Sequence, residues 1–133
     1  MVPLFVSYAI LLVLLSGLKS AGLFLTEIYA LEHWMGGDKW MHFGLALILS
    51  LLANMAAERK LPLKMIGRLV TVVMLLVTAL LIDEAHQYYI ATRRFEWQDT
   101  ASGIAGVLAG VVLYVIGMKS VLLFSRKKAN RMN

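Results

Sequence analysis

The chain has 133 residues, of which 60% are apolar and only 16% are charged, and its formal net charge is +5. The polar residues are too few to cover the surface of a soluble protein of this size. The composition therefore indicates one membrane domain over residues 1–133. The absence of cysteine excludes disulfides and thiolate metal sites. The positive charges cluster in two loops and no motif typical of RNA or DNA binding accompanies them, so the sequence predicts a membrane and not nucleic acid as the partner.

Four apolar runs predict an all-α fold, a bundle of four transmembrane helices. The predicted spans are residues 3–22, 39–57, 66–90 and 100–124. The first is interpreted as an uncleaved span, because it lacks the basic start of a signal peptide. Lys19 near its end is predicted to extend to the membrane interface, with an inward-facing cation for a polar site as the alternative.

The segment between the first two spans carries apolar residues at helical spacing. This stripe consists of Phe24, Ile28, Leu31 and Met35. Glu27 and Glu32 lie off the stripe, so the pattern predicts a short helix in the membrane interface. An ordinary loop explains the segment nearly as well.

The second span is predicted to begin with a capping aspartate and to turn small residues toward the bundle. Asp38 is well placed as the N-cap, and His42 lies four residues later on the same face. The face continues through Ala46, Ser50, Ala53 or Asn54, and Ala57. Small residues on a membrane helix pack against other helices, so His42 is expected to point into the bundle.

Polar residues lie at the end of the third span and at the start of the fourth. Asp83, Glu84 and Gln87 are predicted in the last turns of the third span, at spacings that let them share a surface. Asp99 is predicted as the N-cap of the fourth span. Further along that span, four glycines fall on one stripe of the helix and predict tight packing against another helix: Gly103, Gly106, Gly110 and Gly117.

The distribution of positive charge predicts the orientation. Nine Lys and Arg residues lie at one end of the predicted bundle and four at the other. The positive-inside rule then places both termini in the cytoplasm. The polar residues of the other end converge on the outer face: Asp38, Lys39, His42, Asp83, Glu84, Gln87, Arg93 and Asp99.

Charged groups at this depth are costly to desolvate, so the convergence predicts a functional site. The candidate catalytic residues are Glu84, Asp83 and His42, which could perform acid–base chemistry. The candidate ligand-binding residues are Asp38, Lys39, Gln87, Arg93 and Asp99, of which Lys39 and Arg93 could hold an anion.

Structural roles remain open as alternatives for the same residues. Asp38 and Asp99 could be plain caps, and Arg93 could pair with Asp83 or Glu84. No metal site is predicted, because such a site requires His42 to meet at least two carboxylates and the spacing does not demand this. The sequence names no cofactor.

Several of these positions resemble the VanZ-like family of small bacterial membrane proteins. The resemblance rests on DKWMHF at 38–43, DEAHQ at 83–87, Arg93, Asp99, Gly106 and Gly110. Two positions depart from the family pattern. Gly103 stands where the family often has Asn, and Ala91-Thr92 stands where it often has Pro-Gly. The resemblance implies a multi-pass protein of the bacterial inner membrane, in a family whose named member confers low-level teicoplanin resistance.

Residues and resemblance together lead to three functional hypotheses. The first is a protein that binds an anionic amphiphile at its outer face and contributes to cell-envelope antibiotic tolerance. The ligand would be a lipid headgroup, a lipid-linked wall precursor or a glycopeptide-type drug. The second is an enzyme that performs acid–base chemistry on a lipid or lipid-linked substrate. The third is a structural bundle that supports another membrane complex.

Overall fold

The computed structural model describes residues 1–90 and 96–132, and the described chain forms five α-helices and no strands. The helices are α1 (Val2–Ser20), α2 (Leu25–Trp34), α3 (Asp38–Lys60), α4 (Met65–Tyr88) and α5 (Trp97–Met132). All except α2 are long and apolar enough to cross a membrane. The prediction of four long helices is therefore confirmed, and the segment between the first two spans is a helix and not a loop.

Helices α3 and α5 are longer than predicted. They run past the predicted ends at residues 57 and 124, into sequence rich in Lys and Arg. These residues are good helix formers, and positive charge at a helix C-terminus is favourable to the helix dipole. The cationic ends therefore continue the helices, and only residues 61–64 separate α3 from α4.

Helix α3 packs most closely against α5, and two glycines explain why. A methyl group added at Gly106 would lie 2.2 Å from the carbonyl oxygen of Phe43, and one at Gly110 would lie 2.6 Å from that of Leu47. The two backbones therefore touch, as expected for small residues between membrane helices. The predicted packing stripe does not reach Gly117, where an added methyl group would meet nothing within 4 Å.

The buried face of α3 is the one predicted from its small residues. Ala46, Ser50, Ala53, Asn54 and Ala57 are all buried. The Ser50 hydroxyl donates a hydrogen bond of 2.8 Å to the carbonyl oxygen of Val107 on α5, so a buried polar side chain adds to the contact between the helices.

The outside of the bundle is apolar. No residue of α1 is buried, and large apolar side chains of the long helices are exposed, such as Val13 at 71% and Phe124 at 74%. An apolar surface of this extent suits contact with lipid chains and not with water.

Candidate functional site

The polar residues gather at one end of the bundle, where α1 and α4 end and α3 and α5 begin. We call this the polar end. Seven of the eight carboxylates in the sequence belong to it: Glu27, Glu32, Asp38, Asp83, Glu84, Glu96 and Asp99. This accumulation of negative charge beside an apolar surface requires cations or hydrogen bonds to stabilise it.

Asp38 begins α3 but does not cap it, so that prediction is wrong. The N-cap is Gly37, whose φ of 112° is a conformation that glycine adopts easily, and no side chain caps the helix. The side chain of Asp38 instead turns to its neighbours. Its Oδ1 lies 3.4 Å from Nε2 of His42 and 3.4 Å from Nζ of Lys19.

Lys19 points into the polar end. Its ammonium group forms a salt bridge with Glu32 of α2 and a longer one with Asp38. Its side chain is only 14% exposed. The side chain thus faces inward among carboxylates, as the alternative prediction has it, while its position relative to a membrane stays a prediction.

Glu32 is a member of the site that the sequence reasoning missed. It is 8% exposed and shares the buried face of α2 with Ile28, four residues earlier. The available signal was this spacing, because residues four apart lie on one helix face. Its position off the apolar stripe, taken alone, predicts an exposed side chain.

Asp99 lies in the first turn of α5, opposite the first turn of α3. Because α5 already begins at Trp97, the prediction of Asp99 as N-cap is wrong. The residue is 7% exposed, and its buried Oδ1 accepts no hydrogen bond from the described part of the chain. Nζ of Lys39 lies 3.8 Å from this oxygen but only 3.1 Å from Oε2 of Glu96.

Asp38, His42 and Asp99 form the three-residue cluster that the sequence could not predict. One ligand atom from each residue lies within 4.8 Å of the other two. His42 thus meets two carboxylates, which is the condition that a metal site requires.

A second group of polar side chains surrounds Asp83. The Ser16 hydroxyl donates a hydrogen bond of 2.7 Å to Oδ1 of Asp83, and Nε2 of Gln87 donates one of 2.6 Å to Oδ2 of the same carboxylate. The predicted proximity of Asp83 and Gln87 is confirmed. Glu84 is 4% exposed and accepts a hydrogen bond of 3.1 Å from the backbone N–H of Glu96, so it links α4 to the start of α5.

A cavity of about 120 Å³ lies between α1, α2, α3 and α4. Its polar lining consists of Ser16, Lys19, His42 and Asp83, all at the polar end. Its apolar lining consists of Leu12, Leu15, Ile28, Leu31, Met41, Leu45, Ala46, Leu49 and Leu80. The cavity therefore combines apolar walls with one polar end.

The predicted site residues differ in their position relative to the cavity. His42 and Asp83 line the cavity, while Asp38 and Asp99 lie beside it, within reach of His42. Lys39, Glu84 and Gln87 are not among the described residues that line the cavity. Arg93 lies outside the described residues, so its predicted roles in anion binding and in an ion pair stay predictions.

Comparison of the chain with protein-family models, curated proteins and solved structures finds no match. The resemblance to the VanZ-like family stays a prediction that rests on the motifs of residues 38–110.

Proposed function

We propose that this protein is a multi-pass protein of the bacterial inner membrane that binds an anionic amphiphile. The observation that supports the proposal is the cavity between α1, α2, α3 and α4, which nine apolar and four polar residues of the described chain line. The ligand's chain would contact the apolar walls and its headgroup would lie among the polar residues. Lipid headgroups, lipid-linked wall precursors and glycopeptide-type drugs share this chemistry.

The polar residues of the cavity would decide which amphiphile binds. A chain that moves from the bilayer into an equally apolar cavity gains little free energy, since lipid is as apolar as leucine. Selectivity must therefore come from the headgroup. Lys19 is the cation that lines the cavity, and its ammonium group has three donors, of which Glu32 and Asp38 occupy two.

Lys19 replaces Lys39 as the anion holder in this proposal. Lys39 has a 45% exposed side chain, pairs with Glu96 and is not a lining residue. Arg93, six residues after Gln87 in the sequence, is retained as a second cation for the headgroup.

The orientation is part of the proposal. Nine of the thirteen Lys and Arg residues lie away from the polar end, in residues 59–68 and 119–131. The positive-inside rule then puts that end in the cytoplasm and the polar end at the outer leaflet. An envelope-antibiotic tolerance phenotype would follow from binding there, in line with the resemblance to the VanZ-like family.

Ligand retention in detergent tests the proposal. We expect native mass spectrometry of the purified protein to show bound phosphatidylglycerol in preference to zwitterionic phosphatidylethanolamine. The variant Leu49→Trp, which fills the cavity, should reduce retention by about tenfold, which corresponds to about 1.4 kcal/mol. Leu113→Trp is the matched control, because Leu113 is 48% exposed on α5 and does not line the cavity.

The headgroup contact is tested by a second pair of variants. Lys19→Gln combined with Glu32→Gln removes both members of the salt bridge, so neither of these two charges is left buried alone. This variant should lose the preference for phosphatidylglycerol, whereas Lys39→Gln should keep it. Equal retention by wild type and Leu49→Trp would overturn the cavity as the binding site.

A second candidate function is acid–base chemistry on the bound amphiphile. It is favoured by the position of Asp83 and His42 on the wall of one cavity, where two side chains hold the Asp83 carboxylate. Asp83→Asn should then bind phosphatidylglycerol normally, while cells that carry it accumulate a lipid precursor. Unchanged cellular lipids in cells that carry a folded Asp83→Asn or Glu84→Gln variant would leave binding as the function.

A further inference from the structure

Beyond the amphiphile site, we propose that Asp38, His42 and Asp99 bind a divalent transition-metal ion such as Zn²⁺ or Mn²⁺. The proposal concerns a separate site next to the cavity, with His42 common to both. It stands on the geometry of three side chains and on one buried oxygen atom.

The arrangement of the three side chains suits a small ion. Metal–ligand bonds to imidazole nitrogen and carboxylate oxygen are about 2.1 Å, so ligand atoms around a tetrahedral ion lie roughly 3.4 Å apart. Nε2 of His42 lies 3.4 Å from Oδ1 of Asp38, and all three ligand atoms lie within 4.8 Å of one another.

The second observation is the buried carboxylate of Asp99. Asp99 lies in the first turn of α5 and is only 7% exposed, and its Oδ1 accepts no hydrogen bond from the described residues. Leaving a buried carboxylate oxygen without a hydrogen-bond donor is unfavourable. A bound cation would stabilise this oxygen and relieve its repulsion by the Asp38 carboxylate.

The nearby lysines supply this stabilisation only in part. Nζ of Lys39 lies 3.8 Å from the Asp99 oxygen, beyond hydrogen-bond distance, and lies closer to Glu96. Nζ of Lys19 lies 3.4 Å from Asp38 and closer to Glu32. Each lysine therefore has another carboxylate as its main partner.

The ligand set indicates the class of ion. One imidazole and two carboxylates suit Zn²⁺, Mn²⁺ or Fe²⁺, whereas Mg²⁺ and Ca²⁺ prefer oxygen ligands alone. Three protein ligands leave one coordination position for water or for another oxygen. If the proposed amphiphile function holds, a headgroup oxygen can take this position, and the ion supplies positive charge at an end rich in carboxylates.

Helices α3 and α5 hold the three ligand residues in place. Asp38 and His42 are one turn apart on α3, and Asp99 faces them from α5. The contacts at Gly106 and Gly110 hold these two helices together, so both ligand-bearing first turns are fixed relative to each other.

Metal titration of the protein purified without a His-tag and treated with EDTA tests this site. We expect calorimetry with ZnCl₂ or MnCl₂ to show one ion per chain. Asp99→Asn and His42→Gln should each weaken binding by about 100-fold or more, because each removes a ligand. His86→Gln is the matched control, since His86 is an exposed histidine at the same end, and it should bind as wild type does.

Titration with CoCl₂ separates loss of the site from loss of the fold. Co²⁺ bound by nitrogen and oxygen ligands should give visible absorption bands in wild type and in His86→Gln, and none in a folded Asp99→Asn protein. Failure of wild type to bind either ion, or unchanged binding in Asp99→Asn, would overturn the proposal. Phosphatidylglycerol retention measured in EDTA reports on the cavity alone, so failure of the amphiphile function is distinguishable from failure of the ion site.

Discussion

The salt bridge between Lys19 and Glu32 shows how single residues shape the polar end. The two side chains are 14% and 10% exposed, so each charge depends on the other for stabilisation. Breaking a buried ion pair by removing one member is more harmful than removing both, because the first change leaves a buried charge alone. This salt bridge also joins α2 to the end of α1.

We expect Glu32→Gln to lower the free energy of unfolding by about 3 kcal/mol, the lower part of the range for a buried pair because Asp38 still neutralises Lys19. The double variant Lys19→Gln/Glu32→Gln should lower the free energy of unfolding by less than Glu32→Gln alone. Unfolding titrations with SDS would measure both. Glu27→Gln on the exposed side of α2 is the control, and a loss as large as that of Glu32→Gln would contradict a specific role for the salt bridge.

Residue pairs within one helix could be predicted, and pairs between helices could not. The contacts of Asp38 with His42 and of Asp83 with Gln87 follow from a spacing of four residues. Sequence spacing fixes which face of a helix a residue occupies but not how two helices are rotated against each other. The proximity of Asp99 to His42 is therefore visible only in the structure.

Among the helices, the pair α3 and α5 forms the centre of the bundle. The methyl groups missing at Gly106 and Gly110 leave room for the backbone of α3. Such a contact gains van der Waals packing along both helices, which is a main source of stability for helices in lipid.

We expect Gly106→Ala to reduce the free energy of unfolding by about 1–3 kcal/mol, because the added methyl group would overlap the carbonyl group of Phe43. Gly117→Ala in the same helix meets nothing within 4 Å, so it should be neutral or stabilising by up to about 1 kcal/mol. Thermal unfolding in detergent compares the two. Equal destabilisation by both would show that the loss reflects the helix backbone and not its packing.

Apolar runs predict the existence of the helices better than their ends. Gly37 replaces Asp38 as the N-cap of α3, and α5 begins two residues before Asp99. Both aspartates looked like caps because aspartate is common at N-caps. Their side chains instead face other charged groups, so local preference yielded to contacts between helices.

The whole molecule is electrically asymmetric. Seven of eight carboxylates lie at the polar end, and nine of thirteen Lys and Arg residues lie at the other. Such an asymmetry favours one orientation in a membrane, because cationic segments remain in the cytoplasm.

We expect a cysteine at Glu27 to react with an impermeant maleimide added to intact cells, and a cysteine at Asn130 to react only after lysis. The chain has no cysteine of its own, so each single-cysteine variant reports on one position. Both replaced residues are exposed. The reverse labelling pattern would place the polar end in the cytoplasm and would exclude drugs and precursors of the outer leaflet as ligands.

The most direct test of the account locates a bound amphiphile. A phosphatidylglycerol with a photoreactive diazirine in its chain would be crosslinked to the protein in membranes, and the labelled peptides would be identified by mass spectrometry. We predict labelling at the cavity residues Leu45, Leu49 and Leu80, and loss of this labelling in Leu49→Trp. Labelling confined to outward-facing residues such as Val13 and Phe124, and unchanged in Leu49→Trp, would contradict the account.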